Sequence, residues 1–518
     1  MEKLRKKLFW LIPLAIVLVG LAILYIINLQ RFTAPPTEDW SRDLPIATID
    51  GYHDPQVEVN EGQVDIIYSQ NKELVKKSFD SDLREIKEEP IPTKVDSWDD
   101  FYVYKDKVFY FDEEKIMNGA TTEVIAEAEL FHPANDQIYY AKGQDIFALN
   151  LNTNDTQKVV GVSHPVQEIQ SSDNYLLVYT NNLNRGQLTF FEKQENDQYK
   201  EVISKEVNVG ASNKINQMVF TSDQNKIYLG VSAESQSSQN KQFFFLYSEF
   251  SIQNPEIELV DLKPYDPVTK GPLENISQFE LRPVDGGLEV LFRSVGFTYT
   301  DTNDNQAMNI YSMLIGDNSE ITVERRSNNY ALASAPFFFG DEAVGWKEIA
   351  DQNQYQLKLA SSNPNVVEQA EKTSVEEYLV GFGMSIGSLS TSVFLLYFMI
   401  VWTIIPIVYL GVVSLFYRYK DRNRDMNNNP WILYLGVLIY VAGALVMRDH
   451  LFPANAYLHA PDYIKFAGND FFFILLFALF SLISVKLIKR DWGVIGKYSY
   501  FLGIQYLLYI VVLGPFYF

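Results

Sequence analysis

Gly383-Met384-Ser385-Ile386-Gly387 fits the G-x-S-x-G spacing that lifts a nucleophilic serine on a tight strand-to-helix turn, and Tyr378-Leu379-Val380 before it could pass for the strand. Such a serine needs an Asp and a His from later loops of the same sheet, and only long apolar runs follow, so that sheet cannot be built. The remaining catalytic version is a Ser385–His450 dyad at a membrane surface; the plainer reading of 379–391 is a flexible Gly/Ser hinge whose small residues let helices approach. Asp449, His450, His459, Asp462 and Asp470 crowd one loop, but their spacing matches no compact ligand set, so no metal is expected and His450, His459 and Asp462 stand as its only candidates. Asp301-Thr302-Asn303-Asp304-Asn305 opens like a calcium loop, yet Gln306 and Ser312 stand where Gly and Glu are required, so a polar hairpin tip is expected. No P-loop, dinucleotide fingerprint or HExxH occurs, and no cofactor is expected.

The elements that must position these residues are sharply segregated. The 518 residues carry a net charge of −22 and no cysteine, which excludes disulfide scaffolds, thiol enzymes and cysteine-liganded zinc. Residues 31–378 hold 29 Lys/Arg against 58 Asp/Glu, a balance that repels nucleic acid. Residues 379–518 hold ten Lys/Arg, six Asp and no Glu. Leu8–Leu29 follows a basic cluster and is too long for a signal-peptide core, so an uncleaved anchor is expected. Four more spans are expected near 392–416, 431–447, 471–485 and 498–518, the 471–485 stretch being the shortest. Twelve of the fourteen basic residues outside the large domain fall on one side of these spans, which the positive-inside rule makes cytoplasmic. The N-terminus is then inside; the large domain and the C-terminus are outside. No span carries an ionisable residue near its middle, which argues against ion or proton transport.

The large domain reads as short strands between polar turns. In Gln137–Val160, Ile138-Tyr139-Tyr140 is one strand, Lys142-Gly143-Gln144 a turn, Ile146–Leu151 a second strand and Gln157–Val160 a third. This stretch resembles the repeats of bacterial β-propellers of the TolB and WD40-like kind. Similar strands recur from Val64, Lys107, Gln137, Tyr175, Lys226, Leu288 and Ala343, at a mean spacing of about 46, in the blade range. Six to eight blades are expected, seven foremost, with two packed β-sandwiches as the alternative. Ile46–Ile49 is expected to close the ring with the last blade. The acid blocks Asp80-Ser81-Asp82, Glu88-Glu89 and Asp99-Asp100 are expected in solvated turns.

The fold class is thus an all-β extracytoplasmic propeller with one N-terminal and four C-terminal transmembrane helices. The divisions are 1–30 (basic N-terminus and anchor), 31–43 (linker), 44–378 (propeller), 379–391 (hinge) and 392–518 (four-span bundle). The expected role is a binding, scaffold or sensor protein of the bacterial cell envelope, tethered at both ends in the cytoplasmic membrane. Its partners would be other membrane or envelope proteins and the lipid bilayer, not nucleic acid. The alternatives are an accessory subunit of an export or uptake system, and an envelope hydrolase acting on the propeller axis or through Ser385 and His450.

Overall fold

The computed structural model describes the chain except residues 1, 51–52, 61, 97–98, 183–184, 196–197, 208–212, 224–225, 236–242, 269, 297–307, 318–319, 329–331, 352–353, 420–425, 454–456, 458–459, 489–491 and 518. It divides into two compact units, 35–301 with 305–372, and 1–34 with 373–518.

The first unit is a seven-bladed β-propeller of four-stranded antiparallel sheets. Blades 1 to 6 occupy 56–94, 100–127, 130–161, 166–207, 213–261 and 279–325. Blade 7 takes three strands from 333–361 and its outer strand, Leu44–Asp50, from the beginning of the domain. Each of the seven recurrent motifs is the second strand of its blade, flanked on both sides and therefore apolar on both faces: Ile66 and Ile67, Ile138 and Leu229 are fully buried. Hairpin corners use residues that tolerate left-handed backbone, such as Asn135 at φ 53° and Gly143 at φ 65°.

Closure follows from pairing Leu44–Asp50 with Gln354–Ser361, from Leu44 opposite Leu359 to Asp50 opposite Gln354. This covers an edge that would otherwise stay open to other chains. Ser41 N–H donates to Ser361 O at 2.8 Å, and Ser361 N–H donates to Ser41 Oγ at 2.9 Å. Lys358 bridges Asp43 at 2.5 Å and Glu348 at 3.0 Å across the same sheet. Beneath it, Trp346 is wholly buried against Trp40, Leu291 and Ile310.

The acid blocks differ from expectation in part. Asp80 does cap a turn, accepting from the N–H groups of Asp82 and Arg84. Glu88 and Glu89 instead lie in the outer strand Glu85–Lys94, where Glu88 meets Lys77 at 2.7 Å, because a half-exposed edge strand accommodates charge as readily as a turn.

The second unit is helical: α1 (Glu2–Phe32), α3 (Val375–Thr391), α4 (Leu395–Tyr419), α5 (Pro430–Val446), α6 (Asn469–Leu487) and α7 (Val494–Leu508), with a short α2 (Pro364–Ala370) closing the propeller unit. Among the described residues, Lys7–Phe32, Val375–Tyr419, Asn469–Leu487 and Val494–Phe516 are long and apolar enough to cross a membrane. The 471–485 stretch is completed by residues on both sides, as α6 runs from Asn469 to Leu487, and α5 is an apolar helix of 17 residues.

The segment 379–391, expected as a flexible hinge, is helical, as is Tyr378-Leu379-Val380. Ser374 caps α3 in a capping box with Glu377, and Gly381 and Ser385 lie one turn apart on the face that meets α1. Packing overrides the low helical preference of the glycines.

Candidate functional site

The innermost strand of each blade pairs on one side only. Half of its backbone N–H and C=O groups are therefore left toward the axis without a ladder partner. Side chains of the neighbouring blade meet these groups at five of the seven junctions, and a turn or connecting segment at the other two. Gln56 (blade 1) forms a two-bond amide pair with Val103 (blade 2), both bonds 2.7 Å. Tyr102 OH (blade 2) donates to Asn135 O (blade 3) at 2.9 Å. Ser171 N–H (blade 4) donates to His132 Nε2 (blade 3) at 3.1 Å. Glu168 Oε1 (blade 4) accepts from Met218 N–H (blade 5) at 3.3 Å.

Gln217 (blade 5) repeats the two-bond pair with Phe279 (blade 6), both bonds 3.1 Å. Gln278 Oε1 and Glu280 Oε2, at the start of blade 6, accept from Ala335 and Phe338 N–H of blade 7, at 2.7 and 3.2 Å. Lys347 Nζ, on the second strand of blade 7, reaches the segment that leads into blade 1, donating to His53 O at 3.0 Å and meeting Asp54 Oδ1 at 2.7 Å. Each junction thus carries a side-chain link, and at five of the seven the link is to the innermost strand of the next blade.

Three of these clasps titrate in altered ranges. Burial raises the Glu280 carboxyl to about 7, helped by the nearby Asp54 charge and opposed by the Phe338 amide and Arg282. Burial raises Glu168 as well, against the pull of Gln170 and the Met218 amide. Burial lowers His132 to about 4, so its ring is neutral at pH 7. That agrees with Nε2 accepting a backbone N–H, which requires the proton to sit on Nδ1. Two carboxyls and an imidazole thus serve among the clasps, at three different junctions. All three are engaged in holding blades rather than aimed at a common reacting atom. A separate cavity of about 360 Å³ lies off the axis beside blade 5, lined by Phe243, Phe245, Asp261, Lys263, Glu274 and Asn275 among others.

The residues that the sequence offers as chemical candidates fall elsewhere. Ser385 is fully buried; its Oγ donates to Gly381 O at 2.7 Å and accepts from Asn28 Nδ2 of α1 at 3.1 Å. His450 is exposed in a short 3₁₀ turn, Arg448–His450, and its backbone O accepts from Tyr517 OH. No hydrogen bond joins Ser385 to His450 among the described residues. Asp462 is exposed and lies 3.9 Å from Lys465. His459 and the 301–305 loop lie outside the described residues. Among the described residues no group of three or more His, Asp or Glu side chains is arranged to hold a metal.

Sequence reasoning missed the axial clasps. Their one signal is a Gln, Glu or His in the strand upstream of a recurrent motif, as with Gln56 before Val64 or Gln217 before Lys226.

No protein-family model matches the chain, and no curated protein matches it. Among solved structures it is similar to the N-terminal domain of Nup159 (8% identity, 63% of this chain and 96% of that one, TM-score 0.34). It is also similar to the WD40 domain of Toxoplasma gondii coronin (10% identity, 66% and 95%, TM-score 0.34) and to Kluyveromyces lactis Hsv2 (11% identity, 54% and 87%, TM-score 0.31).

Proposed function

We propose that this chain is a multi-pass protein of the bacterial cytoplasmic membrane whose propeller, on the extracytoplasmic side, acts as a binding and scaffold platform for other envelope or membrane proteins. The observation that carries this reading is the use of the axial side chains. Glu168, Glu280 and His132, the groups an axial enzyme would need, are engaged in clasping one blade to the next. A ring stiffened in this way serves recognition by its faces and loops, since a rigid platform loses little conformational entropy on binding.

The tethers support the same reading. The strand that enters the propeller and the strand that leaves it are hydrogen-bonded neighbours in blade 7. Arg42 Nε and Nη2 reach Ala370 O and Lys372 O, at 2.7 and 3.0 Å, binding the incoming chain to the outgoing one. Both connections to the helical unit therefore leave from one blade.

In-membrane crosslinking of the full-length protein, with mass spectrometry of what is captured, tests the reading. One dominant membrane or envelope partner crosslinked through the propeller is the expected result. Capture of no protein, together with turnover of a small molecule that is lost in Glu280→Gln, overturns it. Orientation is tested by single cysteines placed at 35, 373 and 449, an experiment made simple by a chain without cysteine; labelling from the cytoplasmic side would reverse the topology.

A further inference from the structure

α1 and α7 do not close on each other along their whole length. Near the start of both helices they leave a groove of about 420 Å³, lined chiefly by apolar groups. Phe9, Trp10 and Pro13 line it from α1, and Trp492, just ahead of α7, lines the same end. The groove owes its depth to α7. Gly496, Ser499 and Gly503 stand at helical spacing on the face that lines it, and none has the bulk to fill it. A Cβ added to Gly503 would meet nothing within 4 Å, so among the described residues no other helix approaches it. Small residues in membrane helices ordinarily let a neighbour come close; here they leave room instead.

The walls are fixed by packing. The Phe9 ring centroid lies 5.2 Å from that of Trp492 and 5.5 Å from that of Tyr500, and Trp492 lies 5.3 Å from Tyr500. Pro13 lacks the N–H that would bond Phe9 O in a regular helix, and Tyr500 OH donates to that carbonyl at 3.4 Å. The space is therefore built into the way α1 and α7 meet.

Charge marks the same end of the unit. Val494 N–H donates to Asn427 Oδ1 at 2.9 Å, which brings the α4–α5 loop beside the start of α7. Segments 1–7, 417–430 and 486–497 together hold twelve Lys/Arg against four Asp/Glu, whereas 448–470 holds two against three. Lys7 stands one turn before Trp10 on α1 and Lys497 one turn before Tyr500 on α7, and neither pairs with a carboxylate among the described residues. Trp10 is 72% exposed, as befits an indole at the level where hydrocarbon gives way to headgroups. An apolar groove below a basic, aromatic rim complements a molecule with an apolar chain and an anionic head.

We propose that the groove between α1 and α7 seats one acyl chain of a phospholipid of net negative charge, with its headgroup against Lys7 and Lys497. The proposal rests on the membrane reading given above, and not on which side of the membrane is cytoplasmic.

The test uses the full-length protein in nanodiscs of equal parts phosphatidylglycerol and phosphatidylcholine, transferred to detergent for native mass spectrometry. The wild type should retain phosphatidylglycerol in preference to phosphatidylcholine. Gly503→Leu fills the groove with a residue that favours the helix, so its melting temperature should not fall. Its lipid retention should drop about tenfold, the equivalent of about two methylenes no longer buried. Lys7→Gln/Lys497→Gln should still retain lipid but lose the preference for phosphatidylglycerol. Equal retention of the two lipids by the wild type, or undiminished retention by Gly503→Leu, overturns the proposal. So does a Gly503→Cys protein that retains no lipid and crosslinks in the membrane to a second copy or to another protein, since the groove would then be a seat for a helix. A chain that stays dispersed without detergent or lipid would instead overturn the membrane reading itself.

Discussion

The propeller axis and the interior of the helical bundle both bury polar side chains, and they treat them in opposite ways. On the axis, Gln56, His132, Glu168, Gln217, Gln278 and Glu280 each find a main-chain group of the next blade. In the bundle, Tyr440 and Tyr509 meet side chains instead, Trp402 and Gln505. The difference lies in the backbone. An innermost strand has one unpaired edge, which offers N–H and C=O groups to any side chain that can reach it. A helix has used its backbone groups internally and offers only side chains. Polar residues in a strand-built core can therefore serve as fasteners, whereas in a helix-built core they must pair with one another.

The sharpest way to break this comparison is to remove apolar packing where the propeller closes. Trp346→Ala should cost roughly 3–5 kcal/mol, as expected for a wholly buried indole. Chemical denaturation of the purified full-length protein would show the propeller transition shifted while helical content persists; an unchanged transition would mean that closure does not depend on this core.

The next effect is a pair of opposed pH dependences. Glu280 binds its proton more tightly in the folded state, so its contribution is full below pH 4.5 and is lost as pH rises toward about 7. His132 binds its proton less tightly in the folded state, so its contribution is full above pH 6.5 and is lost as pH falls toward about 4. Each is on the order of 2 kcal/mol after solvent screening. Glu280→Gln should raise the melting temperature at pH 7.5, leave it unchanged at pH 4.5, and expose the acid-side loss due to His132. A flat profile in both proteins would show that the axis is more hydrated than its burial implies.

Smaller effects sharpen the contrast at the edges of the two units. Arg42→Ala should cost about 1 kcal/mol by freeing the carbonyls at the end of α2, and should increase proteolytic cleavage near 370–373. Ser385→Ala should cost about 0.6 kcal/mol, the usual worth of one interhelical hydrogen bond in a membrane, with no change in partner capture. Loss of partner capture by a well-folded Ser385→Ala protein would revive a chemical role for that serine.

Much of the propeller was legible in the residues. Each recurrent strand, from Val64-Asp65-Ile66-Ile67 to Ala343-Val344-Gly345-Trp346, is the second strand of a blade, because only a strand flanked on both sides and packed on both faces must be continuously apolar. Ile46–Ile49 was legible as the closing strand for a related reason: a ring of seven sheets needs one strand from the other end of the domain, and Leu44–Asp50 supplies it. The apolar helices were legible because length and hydropathy alone decide whether a helix can cross a membrane. The axial clasps were not, since Gln56 or Gln217 is an ordinary strand residue until the next blade's open edge is set beside it.

The helical state of 379–391 was also decided by tertiary contact: Gly381 and Ser385 gain from packing on Leu29 and Asn28 more than their glycine neighbours lose in backbone entropy. The sequence by itself determined the recurrent central strands, how often they recur and the long apolar helices, because periodicity and apolar length are local properties. Only the tertiary structure decided which polar groups fasten blades and which converge on one another between helices. That outcome depends on whose backbone lies within hydrogen-bond reach, and no local pattern carries it.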